Sequence, residues 1–595
     1  MSVTPQGISI QTAYRWFRDG RLTVNRQYQR KLVWTIAEKQ RLIDSVLQGY
    51  PLPLFLLADR PGVGHGFDGI LEIIDGMQRL NALFGFIENG FLVDGLCFDI
   101  NEFARARQLS QEGVFPVSPA EVPRLESALC SNILDYQLAV TIFPGEEAGR
   151  ITSVFGRINS GGKQLSDQER RQAGVLSPFA AVVRELSAEI RGDVSRNELP
   201  LTEMPEISIE TTKNIHGYKL RAEEIFWCYQ GILRTNHLRD SEDEQVIADL
   251  VACILFGEPV EASGEYLDKL YDPDSNEYAE VNTKLVAFPR ERLVDQIKTV
   301  FSVVRTVIEM SSSARFHFRE TVYAKATSNA QKQAFFAVFM AFYDLMMGQG
   351  QLPSSPEKIM SSLNNMSDRI NVGQKHVKTA DRLSNVKVVK GLISDSFAKA
   401  DVASLSHGPG MLFEFENSIR RSRTETARYE FKQGMLLLHG SRALDTTHIA
   451  SMIETICAIA NVGPGTDGFL YLGIADKPAD AKRVAELDSV SPAIFEHVQI
   501  VGVDREAKIL ALPFDKYVKI LEDAISQSKL SEPLKTQVRS GLDVIDARGF
   551  AVIRVRIPKQ TSVSFLGDAC FFRSGSSTVT ATGPQIAAIT KLFSA

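Results

Sequence analysis

The stretch Glu425-Thr-Ala-Arg-Tyr-Glu-Phe-Lys432, followed downstream by Gly468-Phe-Leu-Tyr-Leu-Gly-Ile-Ala-Asp476, decides how the last third of this 595-residue chain is read. Tyr429–Lys432 has the composition of a short strand and Phe469–Ala475 that of a longer, apolar one. Between them, Thr446–Val462 carries Ile449, Met452, Ile453 and Ile456 at helical spacing. Phe550–Pro558 and Cys570–Arg573 read as further extended segments, and Gly583–Leu592 as a closing helix. Strands and helices alternate throughout this region, which predicts an α/β domain.

Two acidic residues five positions apart, such as Glu425 and Glu430, share no face of a regular element. On a strand they point to opposite sides, and on a helix they diverge by about 140°. They converge only if Glu425 lies in a turn or helix end ahead of the strand that bears Glu430. With Asp476 at the end of a neighbouring strand, three carboxylates would gather. That donor set suits Mg²⁺ or Mn²⁺. A metal held there polarises a phosphate and acidifies an attacking water, and Lys432 would help neutralise the phosphoryl group. Spacing alone does not demand this, because acidic residues at strand ends are usually solvated. Arg420, Arg421, Arg423 and Arg428 flank the acidic pair and would offset its repulsion of a polyanion.

The whole string is more specific than its parts. Glu425-x4-Glu430-Phe-Lys432 is followed by Ala458-Ile-Ala-Asn461, a turn with Gly463, Gly465 and Gly468, then Leu470–Asp476, Ile557-Pro558 and Phe572-Arg573-Ser574-Gly575-Ser576-Ser577. This order resembles the Schlafen AlbA domain over nearly its full length. The resemblance implies a metal-dependent nuclease with Glu425, Glu430 and Asp476 as metal-binding catalytic residues. It equally covers members that only bind nucleic acid or regulate. Arg573 and the small hydroxyls after it suit phosphate contact or, alternatively, a tight structural turn. The glycine turn, Asn461–Gly468, is longer here than the family's usual one.

Three features cluster near the other end. They are Asn25-Arg-Gln-Tyr-Gln-Arg30 with Trp34, then Ile74-Asp-Gly-Met-Gln-Arg-Leu80, then Phe155-Gly-Arg-Ile-Asn159 with Gly161, Gly162, Leu165 and Glu169. In the second, a strand over Ile70–Ile74 meets Asp75-Gly76, and a helix begins near Met77. A helix N-terminus offers free N–H groups to an anion. Gln78 adds a donor, Arg79 can grip phosphate with two parallel bonds, and Asp75 could hold a metal or activate a water. A capped surface helix with an incidental arginine is the simpler alternative. Together the three features resemble the ParB-related N-terminal domain of GmrSD type IV restriction enzymes and phosphorothioate-linked defence proteins, over about residues 10–175. That family binds and hydrolyses nucleotides through its DGQQR segment. Carried over, Asp75, Gly76, Gln78 and Arg79 form the nucleotide site, Arg30 is a neighbour, and Arg157 and Asn159 complete the pocket. Met77 stands where the family usually has Gln. The usual partner, an HNH nuclease, finds no counterpart among the nine histidines, so the effector must lie elsewhere.

Bulk properties set the limits. A net charge of −6 gives no global basic signature, so nucleic acid would be held by local patches. The six cysteines are scattered without a CxxC pair, which argues against a disulfide framework and for a reducing cytoplasm. The N-terminus lacks a signal-peptide pattern. The most apolar helix, Ala334–Met347, is too short to span a bilayer. In the first region, Thr35-Ile-Ala-Glu38 reads as a capping box for a helix with Leu42, Ile43, Val46 and Leu47 on one side, and Leu54–Leu57 and Leu138–Phe143 read as strands. Between 176 and 400 the pattern is mostly helical and carries no motif. Its end, Arg369–Lys399, holds seven Lys and Arg and is most simply a solvated face.

The resulting expectation is a multidomain α+β protein. A ParB-like mixed α/β nucleotide-binding domain spans 1–175, a helical scaffold spans 176–400, and a Schlafen AlbA-type α/β domain spans 411–595. The expected function is a nucleotide-regulated, metal-dependent nuclease of bacterial anti-phage defence, cytoplasmic, acting on DNA or RNA, with a nucleoside triphosphate and Mg²⁺ or Mn²⁺ as cofactors. It has no membrane partner, and a homo-oligomer is compatible with it. The alternatives are a non-catalytic, nucleotide-gated nucleic-acid-binding protein and an NTPase whose C-terminal domain serves only for self-association.

Overall fold

A computed structural model describes the chain apart from residues 1–4, 27–31, 33, 61–68, 113, 116–120, 145–165, 173–174, 176, 194–197, 205, 209–218, 324–328, 372–376, 400–411, 423–425, 465–466 and 594–595. The chain divides into two units. One takes residues 1–294, 308–341 and 356–395, and the other takes 295–307, 342–355 and 396–595. Both are α/β. No helix among the described residues is long and apolar enough to cross a membrane.

The first unit contains a six-stranded mixed sheet. Its strands are β1 (Gln6–Ser9), β2 (Leu22–Asn25), β3 (Phe55–Arg60), β4 (Ile70–Asp75), β5 (Gln137–Pro144) and β6 (Glu198–Pro200), in the order β1-β5-β3-β4-β2-β6. Helices α1 (Ile10–Arg18), α2 (Ile36–Leu47) and α3 (Met77–Ile87) bury apolar faces in one core with the sheet. The expected capping box starts α2: Thr35 Oγ1 accepts from Glu38 N at 3.3 Å, and Glu38 Oε2 accepts from Thr35 N at 2.9 Å.

The sheet does not end with the N-terminal segment. Thr23, Val24 and Asn25 pair with Pro200, Leu199 and Glu198. This short strand comes from the segment expected to be helical, and it occupies an edge that β2 would otherwise leave open. The basic run at 369–399 also behaves differently from a solvated face. Arg382 is fully buried, donates to both carboxylate oxygens of Asp249 at 2.8 and 2.5 Å, and lies over the Phe336 ring.

The second unit is layered. A four-stranded sheet has the order β7-β8-β13-β12, from β7 (Tyr429–Lys432), β8 (Gly468–Leu472), β12 (Leu542–Ala547) and β13 (Phe550–Ile557). A smaller sheet, β9-β11-β10, comes from β9 (Ile474–Ala475), β10 (Ala493–Phe495) and β11 (Val498–Ile500), and β14 (Phe571–Ser574) forms a hairpin with β15 (Ser577–Thr580). Helices α5 (Thr446–Ala460) and α7 (Phe514–Gln527) pack on one face of the main sheet with Leu470 and Leu472, while α4 (Leu412–Arg421) packs on the other with Tyr429, Phe431, Phe469 and Tyr471. Between α5 and α7 in sequence lies α6 (Pro478–Asp488). Strand β7 runs parallel to β8, with Tyr429 opposite Phe469 and Phe431 opposite Tyr471. Both aromatic pairs stack, with ring centroids 5.9 and 5.8 Å apart. Cross-strand pairs of this kind fix register.

The single strand expected over Phe469–Ala475 is two strands. Gly473 breaks it with φ +101°, and a Cβ there would lie 3.2 Å from Ala551 O and from two backbone atoms of Gly502. The chain leaves the main sheet at this residue: Gly473 N donates to Lys432 O at 2.8 Å, and its carbonyl accepts from Val501 N and Gly502 N at 2.8 and 3.0 Å. Asp476 therefore follows the small sheet, not the strand beside Glu430. Substituting Gly473→Ala forces a side chain into both strained φ and backbone contact, so it should cost about 1–3 kcal/mol, read as a lowered urea midpoint of the full chain. An unchanged midpoint would show that the crossover tolerates a Cβ.

Candidate functional site

The alternation along β7 separates two environments. Tyr429 and Phe431 are buried toward α4, while Glu430 and Lys432 are half-buried on the α5 side. They border a cavity of about 740 Å³, also lined by Asp476, Lys477, Asp480, Asp445, His448, Ser576 and Ser577. Three residues singled out from sequence thus come together: Glu430, Lys432 and Asp476. Glu425 lies outside the described residues. The turn Thr426–Arg428 leads directly into β7. Asp476 is exposed. Among the described residues, no three acidic, histidine or cysteine side chains stand close enough to hold a metal by themselves.

Both oxygens of Glu430 are engaged by cations. Lys432 Nζ lies 2.6 Å from Oε1, and Arg573 Nη2 lies 2.9 Å from Oε2. The Arg573 side chain is only 1% exposed. It also donates to Thr578 Oγ1 at 3.1 Å and to Tyr429 O at 3.4 Å. The hairpin that carries it is tied to the end of α5 by Asn461, whose Nδ2 donates to Phe571 O at 2.8 Å and Ser564 O at 2.9 Å while Oδ1 accepts from Ser564 N at 2.8 Å. Arg573 was expected to touch nucleic acid. In this geometry it lies beneath a carboxylate, and it reaches a phosphate only by giving up that pair. The neighbouring Ser576 and Ser577 do face the cavity.

The cavity wall beyond Lys432 is held by a buried charge cluster. Glu506, fully buried, accepts from Met435 N at 2.7 Å and Tyr517 OH at 2.6 Å. Arg505 donates to Gln433 O at 2.5 Å and Gln433 Oε1 at 2.7 Å, and pairs with Asp488. Arg442 grips both oxygens of Asp488 at 2.8 and 2.6 Å. Residues 433–436, the continuation of the strand that bears Glu430, are thereby fixed from below. Burial, followed by the Glu506 carboxylate, pushes the Tyr517 phenol well above its ordinary value.

The flanking arginines have other partners. Arg420 Nε donates to Glu496 Oε1 at 3.2 Å, and Nη1 donates to Asn417 Oδ1 at 3.1 Å, on the α4 side. Arg421 and Arg428 are half-buried, and Arg423 lies outside the described residues. Sequence reasoning passed over Asp445, His448, Lys477 and Asp480. Asp445 caps α5 by accepting from His448 N at 2.9 Å, and an Asp three residues ahead of a His at the start of a helical pattern was a legible signal for both. The spacing of Asp476 and Asp480 was a weaker one.

At the N-terminal constellation, β4 ends at Asp75, Gly76 turns with φ +104°, and α3 begins. A Cβ on Gly76 would meet the Phe55 ring at 2.4 Å, so the turn requires glycine. The helix start has no side-chain cap. Gln78 Oε1 accepts from Trp34 N at 3.4 Å. Arg79 is turned inward. Its Nη2 donates to Asp75 Oδ2 at 2.9 Å and Leu54 O at 3.2 Å, Nη1 donates to Pro53 O, and the guanidinium lies over the Phe55 ring. Burial pulls its pKa down while Asp75 pushes it up. The two terminal nitrogens expected to grip a phosphate thus hold the Pro53-Leu54 backbone instead. Arg30, Arg157 and Asn159 lie outside the described residues. Glu169 caps its own helix start, accepting from Ser166 N at 3.0 Å.

Residues 14–176 match the family model of the GmrSD restriction endonuclease, N-terminal domain. The matched stretch begins within α1, runs past β5 and contains Asp75–Arg79, as the motif order predicts. Strand β6, which completes its sheet, lies beyond the matched residues. No curated protein matches the chain.

Two outcomes follow from this geometry. Arg79→Ala leaves Asp75 Oδ2 and two backbone carbonyls without their donor, while Asp75 Oδ1 keeps Gly76 N, so it should destabilise the first unit by about 1–3 kcal/mol, read as a lowered unfolding midpoint even without nucleotide. A wild-type midpoint would return Arg79 to a purely ligand-facing role. In the cavity, burial and then Lys432 hold His448 below its ordinary pKa of 6.5. The unfolded chain takes up that proton near pH 6.5 and the folded chain only at lower pH. The contribution is therefore present above about pH 6.5 and is lost as pH falls through the folded value. Unfolding free energy should drop as pH falls below about 6.5, and His448→Gln should flatten that drop. Identical slopes for the two proteins would remove His448 from the account.

Proposed function

We propose that this chain is a restriction-type defence nuclease. Its GmrSD-type domain takes a nucleoside triphosphate at the Asp75–Arg79 turn, and its C-terminal unit, of Schlafen AlbA type, cuts nucleic acid at the Glu430–Asp476 cavity. The observation that carries this reading is the cavity itself, where Glu430 and Lys432 on β7 and Asp476 just past β9 border one space. The match to a domain of restriction endonucleases supports it independently.

The donor set fits a hard divalent cation. Glu430 and Asp476 offer carboxylate oxygens, Glu425 is a further candidate ligand, and no cysteine or methionine is among the described residues that line the cavity. Mg²⁺ or Mn²⁺ would supply phosphate polarisation and an acidified water. The chain's own residues do the rest. Lys432 and Lys477 counter the charge of the nucleic-acid backbone, Ser576 and Ser577 donate to phosphate oxygens, and Arg573 keeps Glu430 oriented. Nucleotide occupancy at the first unit gates the cut.

One observation favours the non-catalytic alternative: both Glu430 oxygens already have cationic partners, as they would in a site that only holds nucleic acid. The two readings separate in one experiment. Wild-type, Glu430→Gln and Asp476→Asn proteins are incubated with labelled plasmid and with total RNA, with and without Mn²⁺ and each NTP. Metal-dependent cleavage should fall about 100-fold in either variant, with the unfolding midpoint unchanged in Asp476→Asn, whose side chain is exposed, and lowered in Glu430→Gln, which strands Arg573. Binding that persists in all three proteins without any cleavage would sink the nuclease and leave the clamp.

A further inference from the structure

In the helical stretch of the first unit, Arg315-Phe-His-Phe-Arg319 sets two arginines around a pair of aromatic rings. Phe318 is fully buried and anchors the segment. Phe316 is only half-buried, and its φ of +67° is a left-handed conformation that a bulky side chain rarely adopts. The backbone holds it there: Phe316 N donates to Tyr229 O at 2.7 Å, and Arg319 N donates to Gln230 O at 3.3 Å. Gly231 leaves the room, since a Cβ on it would lie 3.0 Å from the Arg319 side chain and 3.2 Å from the Phe316 ring. Strain of this kind persists only where the surroundings over-determine it, and it gathers at binding sites.

Both arginines stack on that one ring. The guanidinium carbon lies 4.6 Å from the ring centroid for Arg315 and 3.9 Å for Arg319. Arg79, Arg382 and Arg554 also lie over rings, but each holds a carboxylate. The Arg319 guanidinium holds none, and among the described residues it makes no hydrogen bond or ion pair. Arg315 has a single carboxylate partner, Glu223 at 3.5 Å, and the two side chains are 43% and 48% exposed, so that pair is weak. A guanidinium seated on a ring is held in place while its N–H groups stay available to another partner. The chain carries a domain of restriction endonucleases, which makes nucleic acid the polyanion at hand. Its phosphates accept two parallel bonds from such a fork.

We propose that Arg315 and Arg319 form a contact for the sugar–phosphate backbone of nucleic acid on the first unit, with Phe316 as their shared platform. Each guanidinium takes one phosphate and neither reads a base, so the contact is indifferent to sequence. It goes beyond cleavage at the cavity and does not depend on the chemistry there. It gives the helical stretch a part in holding the substrate.

The test is fluorescence anisotropy of a labelled DNA duplex and a labelled single-stranded RNA on the full chain, with salt varied from about 50 to 200 mM. Wild type is compared with Arg315→Gln, Arg319→Gln, Arg319→Lys and Arg170→Gln, the last being an exposed arginine elsewhere in the unit. Neither substitution at 315 or 319 strands a buried partner, so unfolding midpoints should match wild type. Arg315→Gln and Arg319→Gln should each flatten the slope of log affinity against log salt by about 0.9 on the duplex and about 0.7 on the single strand. Arg319→Lys keeps the charge and should keep the slope, and Arg170→Gln should behave as wild type. Inorganic phosphate at constant ionic strength should leave the probes bound. Wild-type slopes in both glutamine variants, or equal flattening in Arg170→Gln, would overturn the contact and leave the nuclease reading intact. Displacement by inorganic phosphate would make this a site for a free anion and overturn the contact as well. If wild type binds neither probe, the contact and the nuclease reading fall together.

Discussion

The second unit depends on four residues of β7 held in register against β8. Tyr429 and Phe431 stack on Phe469 and Tyr471, and that apolar ladder fixes which way the strand faces. A slip by one residue would send both aromatics toward α5 and both charged side chains into the core beside α4. The site is thus a by-product of the ladder: Glu430 and Lys432 are where they are because the residues between them must be buried.

A second constraint lies below the strand. Glu506, Asp488, Arg442 and Arg505 form a nearly solvent-free set in which the opposing charges are interleaved and most oxygens have donors. Such clusters contribute little net stability over an apolar core, yet breaking one partner leaves a charge stranded at a cost of about 3–5 kcal/mol. What the cluster supplies is direction. It fixes the backbone at Gln433, Met435 and Leu436, where β7 ends and the cavity wall begins, with fewer alternatives than apolar packing would allow. The Asp75–Arg79 turn in the first unit follows the same logic on a smaller scale, with one guanidinium joining a carboxylate to two backbone carbonyls.

Local order was legible in the sequence. The capping box at Thr35, the strand before Asp75, the helix after it and the strand Tyr429–Lys432 are all where spacing and composition put them, because each is fixed by neighbours within a few residues. The facing of long cationic side chains was not legible. Arg79 was expected to grip a phosphate, Arg573 to contact one or sit in a turn, and Arg382 lay in a run read as a solvated face, yet each is buried on a carboxylate, and for Arg382 and Arg573 that partner lies more than a hundred residues away in sequence. The break at Gly473 was hidden for a similar reason, since Leu-Gly-Ile within an apolar run looks like an uninterrupted strand unless the approach of Ala551 and Gly502 is known. The edge strand at Glu198–Pro200 carries too few residues to show any period at all. For the candidate site, the residues that gather were visible as a motif. The fixed hold of Arg573 beneath them was not.

The tie between the hairpin and β7 has a temporal side. A span of 144 residues separates Tyr429 from Arg573, and chains emerge from the ribosome N-terminus first. Glu430 and Lys432 are therefore synthesised long before the guanidinium that orients them, and before Ser576 and Ser577. Between those moments the growing polypeptide carries an unsupported carboxylate with no second wall to its cavity. Through that interval the growing chain holds the acidic residues without the groups that orient them, and the cavity exists only once the domain around it has closed.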